Sequence, residues 1–101
     1  MINFRTYNIA VEFYKLSKTL KLPAALKEQL SRAASSIALN LAEGKGREST
    51  NDQCRFFQIA LGSTKECQAI LELAELKRPD LEDLADKLAA HIYNLIKYKR
   101  G

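Results

Sequence analysis

Residues 35–50 read SSIALNLAEGKGREST, and within them Gly44-Lys45-Gly46-Arg47 sets two glycines beside two cations. Such a step cradles a phosphate when it stands as GxxxxGK[ST] between a strand and a helix, so that free amides and the lysine surround the oxygens. Here the spacing is different and no strand pattern precedes it. The flanks read instead as a stop and a start. Gly44 follows Glu43 where a helix ends in a left-handed residue, and Ser49 with Asp52 resembles a capping box, with Asp in place of the usual Glu or Gln. The stretch is an interhelix connector, and it offers no nucleotide-hydrolysing chemistry.

Other catalytic constellations fail on residue type. Helical bundles that hold two metals use carboxylates from several helices with inward Glu-x-x-His pairs. The single histidine, His91, has Leu88 at i−3. It lies on the stripe Leu84, Leu88, His91, Leu95 and reads as a packed or partly buried histidine, not a ligand or general base. No Ser/His/Asp or Cys/His set assembles. We therefore expect no catalytic residue, no metal and no cofactor. Cys54 and Cys67 are 13 residues apart on one expected helix, roughly 20 Å along its axis, too far for a disulfide. They read as packing residues. Glu43 sits at the negative end of a helix dipole and needs compensation. The expected partner is Arg47 or the free amides of the next helix, with Asn40 holding the connector or a neighbouring subunit.

The elements that position these residues follow from apolar spacing. Tyr7, Ala10, Val11 and Tyr14 form one helical stripe and Ile9, Phe13, Leu16 and Leu20 a second, with Arg5, Asn8, Glu12, Lys15 and Thr19 on the wet face. Two stripes exceed what a small bundle buries and point to burial against another subunit. Leu22-Pro23 ends this helix tightly and opens the next. There Leu26, Leu30, Ala33, Ile37 and Leu41 keep the helical rhythm, and Ala34, Ser35, Ser36, Ala38 and Ala42 allow close approach. A third helix spans about 50–76, with Phe57, Ala60, Leu61, Thr64, Cys67, Leu71 and Ala74 on one face and Phe56, Ile59, Ser63 and Ile70 beside it. Gly62 inside it costs roughly 1 kcal/mol against alanine, which close contact with a neighbouring backbone would explain. Lys77-Arg78-Pro79-Asp80 breaks the pattern, and Leu81, Leu84, Leu88, Ile92 and Leu95 carry a fourth helix to the basic end KYKRG. The fold class is all-α, an antiparallel up-down-up-down four-helix bundle, in a single domain over 1–101.

With 47% hydrophobic and 28% charged residues among 101, the chain has the composition of a soluble globular protein. No apolar run reaches the roughly 20 residues of a bilayer span. The start MINFRTYNIAVEF lacks the apolar core of a secretory signal, so a cytoplasmic location is expected. The net charge of +4 is unevenly placed: residues 1–50 hold eight Lys/Arg against four Asp/Glu, and residues 51–101 hold eight of each.

SSIALNLAEGKGR followed by RFFQIALGSTKECQAILELA resembles the four-helix-bundle family named for 23S rRNA intervening sequences, whose members are sometimes labelled S23 ribosomal protein. The match is most specific at Ser36 to Gly44, with its serine, asparagine and Ala-Glu-Gly pattern, and at Arg55 to Ser63. The family is also similar to the accessory variability protein of diversity-generating retroelements, a basic homopentamer that binds nucleic acid and a reverse transcriptase. The resemblance implies a pentameric, non-enzymatic scaffold and gives Ser36, Asn40, Glu43, Gly44, Gly62 and Ser63 structural or interface roles.

In such a bundle the start of the first helix, the second connector and the end of the fourth helix share one end. That end collects Arg5, Lys45, Arg47, Arg55, Lys97, Lys99 and Arg100 against Glu43, Glu48 and Asp52. Repeated around a ring, the excess forms a positive surface suited to phosphate backbones of RNA or DNA. The bland alternative is a solvated surface whose terminal cations complement a helix dipole. Tyr98 between Lys97 and Lys99 reads as packing or as a base platform. A second class of function remains open, a protein-interaction adaptor that uses the surplus apolar and small-residue surface and no nucleic acid.

Overall fold

Each helix starts and stops for a local reason. The computed structural model describes residues 4–100, so the ends of the domain assigned to 1–101 lie outside the described residues. It contains α1 (Arg5–Ser17), α2 (Ala24–Lys45), α3 (Thr50–Ala74) and α4 (Pro79–Arg100), with no strand among the described residues. Helix α1 ends sooner than Leu22-Pro23 suggests. The Thr19 and Leu20 amides turn back three residues to the Leu16 and Ser17 carbonyls at 3.1 and 3.2 Å, a tightened last turn that closes the helix, and the Ser17 and Thr19 hydroxyls donate to the Tyr14 and Leu16 carbonyls at 2.7 Å each. Leu20 then enters the core from the connector.

Helix α2 begins after Pro23 and runs through Gly44 to Lys45, capped by Gly46 at φ −82°, ψ −8°. The expected left-handed stop at Gly44 is therefore wrong: this glycine is helical and buried. A Cβ there would meet Phe57 Cε1 at 2.6 Å and the Gln53 carbonyl oxygen at 3.1 Å. Its lack of a side chain lets the Phe57 ring lie against the α2 backbone. Helix α3 starts at Ser49, whose Oγ accepts from the Asp52 amide at 3.1 Å. Only half of a capping box forms, because the Asp52 carboxylate instead lies 3.7 Å from Arg55. Its stop is Glu75, in left-handed conformation at φ 53°. Pro79 occupies the first position of α4, Asp80 and Glu82 its first turn, and Lys97, Lys99 and Arg100 its last, all with the sign the helix dipole favours.

Consecutive helices run antiparallel. Ser36 meets Ser63 and Gly44 meets Phe57 across α2 and α3, while Arg78 at the start of α4 reaches Thr19 beyond the end of α1. Helix α3, about 37 Å long at 1.5 Å per residue, nearly fills the 40 Å long axis of the molecule. Phe13, Ile37, Leu41, Phe57, Leu81, Leu88 and Ile92 form the fully buried centre. Thr64 is buried among them with its hydroxyl donating to the Ala60 carbonyl at 2.9 Å, so its polar group is satisfied. Cys54 and Cys67 are buried free thiols, and burial, aided by the nearby Glu66 charge, pushes the Cys67 thiol up to about 12. The second α1 stripe supplies the core. Of the first, Ala10 is buried, but Tyr7, Val11 and Tyr14 are half-buried.

Candidate nucleic-acid interface

The antiparallel order sets the start of α1, the α2–α3 connector and the end of α4 at one end of the bundle. Two aromatic residues organise part of the basic set there. The Lys45 ammonium lies 5.1 Å from the centroid of the Phe4 ring, which itself packs 6.4 Å from Phe57. Arg47 and Arg55 lie 4.8 and 4.5 Å from the centroid of Phe56. A guanidinium on an aromatic ring keeps its charge while losing much of its rotational freedom. Arg47 also donates to Glu43 at 2.8 Å, the partner anticipated for that carboxylate, and Gln53 Nε2 donates to the Arg47 carbonyl at 3.0 Å. Both arginines are thus held by α3 although Arg47 belongs to the connector.

The pairs Arg47–Glu43 and Arg55–Asp52 are solvent-exposed, and exposed pairs contribute about 0–1 kcal/mol and weaken with salt. They position the guanidinium groups without locking them away from another anion. Lys97, Lys99 and Arg100 are exposed on the last turn of α4 and make no ion pair among the described residues. Tyr98 is 81% exposed, so it does not serve core packing. Arg5 is exposed on the first turn of α1, and its charge reaches His91.

His91 is half-buried. Burial, then repulsion from Arg5 and Lys87, holds its pKa below the ordinary 6.5. The unfolded chain therefore binds the proton more readily, and stability falls as pH drops below about 6.5. A proton NMR titration should give a midpoint below that of an unstructured histidine. His91→Gln should remove the corresponding loss of thermal stability; an unshifted midpoint would contradict this account.

A second group of anticipated residues lies along α2 and α3. The Ser36 and Ser63 hydroxyls are 2.9 Å apart. Asn40 Nδ2 donates to the Ser36 carbonyl at 2.8 Å and to its hydroxyl at 3.0 Å. Asn40 thus ties back to its own helix and does not hold the connector. Gly62 also departs from expectation: it is exposed, and a Cβ there meets nothing within 4 Å. Leu39, next to Asn40 in α2, and Ile59, four residues before Ser63 in α3, are 67% and 44% exposed.

Phe56 is the functional candidate that sequence reasoning passed over. Its adjacency to Arg55 was visible in Arg55-Phe56-Phe57, but the Arg47 contact arises only when the connector folds back onto α3. The family model for the 23S rRNA-intervening sequence protein matches residues 3–98. The chain belongs to this family. In this 23S rRNA-intervening sequence protein the two most specific sequence segments, Ser36–Gly44 and Arg55–Ser63, are joined at both ends, by the Ser36–Ser63 hydroxyl pair and by Gly44 against Phe57. No curated protein matches the chain. Among the described residues, no helix of the family member is long and apolar enough to cross a membrane.

Proposed function

We propose that this 23S rRNA-intervening sequence protein is a non-enzymatic, cytoplasmic scaffold. It assembles with itself, as a pentamer by the family resemblance, and binds RNA or DNA through phosphate contacts without strong sequence preference. The arrangement of Arg47 and Arg55 on the two sides of the same short connector–helix junction, both against Phe56, is the observation that carries this reading. Arginine forks match phosphate oxygens in pairs, and Lys45, Lys97, Lys99, Arg100 and Arg5 add charge at the same end. Copies in a ring would multiply that charge, and a reverse transcriptase is one protein partner the resemblance brings with it.

The exposed Leu39, Ile59 and Gly62 on α2 and α3 favour self-association. A partner's backbone can approach a helical glycine more closely than any other residue, and burying Leu39 and Ile59 would supply the apolar contribution. The same exposed residues support a second reading, an adaptor for another protein with no nucleic-acid role. Light scattering during titration with a labelled single-stranded RNA separates the two. A multimer whose RNA affinity declines with salt supports the scaffold. A multimer without RNA affinity favours the adaptor, and a monomer removes the self-assembly reading.

A further inference from the structure

The corner where α1 leads into α2 lies at the opposite end of the bundle from the Arg47–Phe56–Arg55 cluster. Residues 15–32 carry Lys15, Lys18, Lys21, Lys27 and Arg32 against the single acid Glu28. That acid is already engaged, since Arg32 donates to Glu28 at 3.1 Å. On the neighbouring start of α4, Asp80 accepts from Arg78 at 2.9 Å, and Arg78 in turn reaches Thr19 at 3.2 Å. The four lysines form no ion pair among the described residues. Helix α2 adds to the positive potential, because it has no acid in its first turn and no side-chain cap.

Two of these cations, Lys18 and Lys27, border a concavity. Ser17, Lys18, Lys27, Leu30 and Ser31 line a cavity of about 310 Å³ between α1 and α2, at the small end of the range that holds ligands, about 300–1,000 Å³. The Lys18 ammonium is held 4.5 Å from the centre of the Tyr14 ring, which limits its freedom before any anion arrives. The Ser17 hydroxyl is spent on the Tyr14 carbonyl and has no proton left to offer. Ser31 is half-buried in the wall, and its hydroxyl, which faces the Tyr14 phenol, must turn from that oxygen to donate to an anion. Hydrogen bonding from Lys18, its charge and a weaker contribution from Ser31 outweigh burial and hold the Tyr14 phenol below its usual range.

We propose that the α1–α2 corner is a phosphoryl-binding site, in which Lys18 and Lys27 flank the anion and Ser31 donates to it. The phosphoryl group belongs either to free phosphate and small phosphate esters or to a nucleic-acid backbone. This site is separate from the arginine–phenylalanine end and does not depend on it.

Amide NMR shifts of the intact protein, recorded while inorganic phosphate is added against chloride at equal ionic strength, test the proposal. Saturable shifts are expected at Lys18, Lys27 and Ser31. Lys18→Gln and Lys27→Gln should each weaken phosphate binding at these amides about tenfold, the loss of one charge-assisted contact, while Lys65→Gln, an exposed position of α3 outside both basic clusters, leaves it unchanged. Lys18 and Lys27 are exposed, and circular dichroism would check that the variants remain folded. A single-stranded RNA lacking terminal phosphates supplies the second arm. If it moves the same amides and competes with phosphate, the backbone is the source; if phosphate alone binds, the source is a small phosphate. Shifts that do not saturate with either probe, or that persist unchanged in the Lys18 and Lys27 variants, would overturn the site.

Discussion

Gly44→Ala lowers the melting temperature by about 5–10 °C, whereas Gly62→Ala raises it by a few degrees. The opposite signs follow from what each new methyl group meets. At Gly44 it would lie 2.6 Å from Phe57 Cε1 and 3.1 Å from the Gln53 backbone oxygen. Phe57 is only 1% exposed, so its ring has no free space into which to swing. Overpacking of this kind costs about 1–3 kcal/mol. The helix-propensity gain of about 1 kcal/mol on replacing glycine leaves about 0–2 kcal/mol; two ring carbons at 2.6 and 2.9 Å place this site in the upper half of that range, and each kcal/mol moves a domain of this size by about 4–8 °C. At Gly62 no atom of the same chain lies within 4 Å, so in the dissociated monomer the propensity gain remains. Thermal unfolding of dilute protein measures both, and a stabilised Gly44→Ala variant would refute the close-approach account. Phe57→Leu should partly restore the Gly44→Ala variant while destabilising the parent, a coupling of opposite signs that independent sites cannot give.

The same pair of glycines marks the boundary of what the sequence disclosed. Helical periodicity placed four helices, and the residues that became the fully buried centre stood on its stripes, because a stripe reports which face is dry. It cannot report which neighbour touches that face. Gly44 therefore read as a helix stop and Gly62 as a contact point, when the aromatic ring that decides the matter comes from another helix. Helix α1 was read too long for a related reason. Leu20 continues the apolar rhythm, but the chain leaves the helix through a tightened turn in which the Thr19 and Leu20 amides bond to the Leu16 and Ser17 carbonyls at 3.1 and 3.2 Å. Ser49 was legible because a cap acts within three residues. Asn40 was not, since its amide had several acceptors within reach, and Phe56 was missed as an arginine platform because Arg47 comes from the connector.

Affinity for a single-stranded RNA should fall about a hundredfold between 50 and 200 mM monovalent salt. Counterion release gives a logarithmic slope of about −0.7 for each phosphate neutralised on a single strand, so four or five contacts produce a fall of that order. The combined Arg47→Gln and Arg55→Gln substitution should reduce the slope by about 1.4 and weaken unrelated sequences alike, since phosphate contacts carry little base information. Phe56→Ala keeps both positive charges but removes the ring that holds them at 4.8 and 4.5 Å. It should therefore lower affinity about threefold to tenfold, the equivalent of a cation–π contact of about 1 kcal/mol, with the salt slope nearly unchanged. Glu43→Gln acts in the other direction: it removes the carboxylate that accepts from Arg47 at 2.8 Å, and an exposed pair of this kind competes by less than about 1 kcal/mol, so affinity should rise twofold to threefold. Fluorescence anisotropy at several salt concentrations separates these effects. A flat salt response in the parent would eliminate phosphate recognition as the basis of binding. A normal slope that survives loss of both arginines would move the contact surface away from the α2–α3 connector, leaving Arg5 on α1 and Lys97, Lys99 and Arg100 on α4 as the cations of that end still able to supply it.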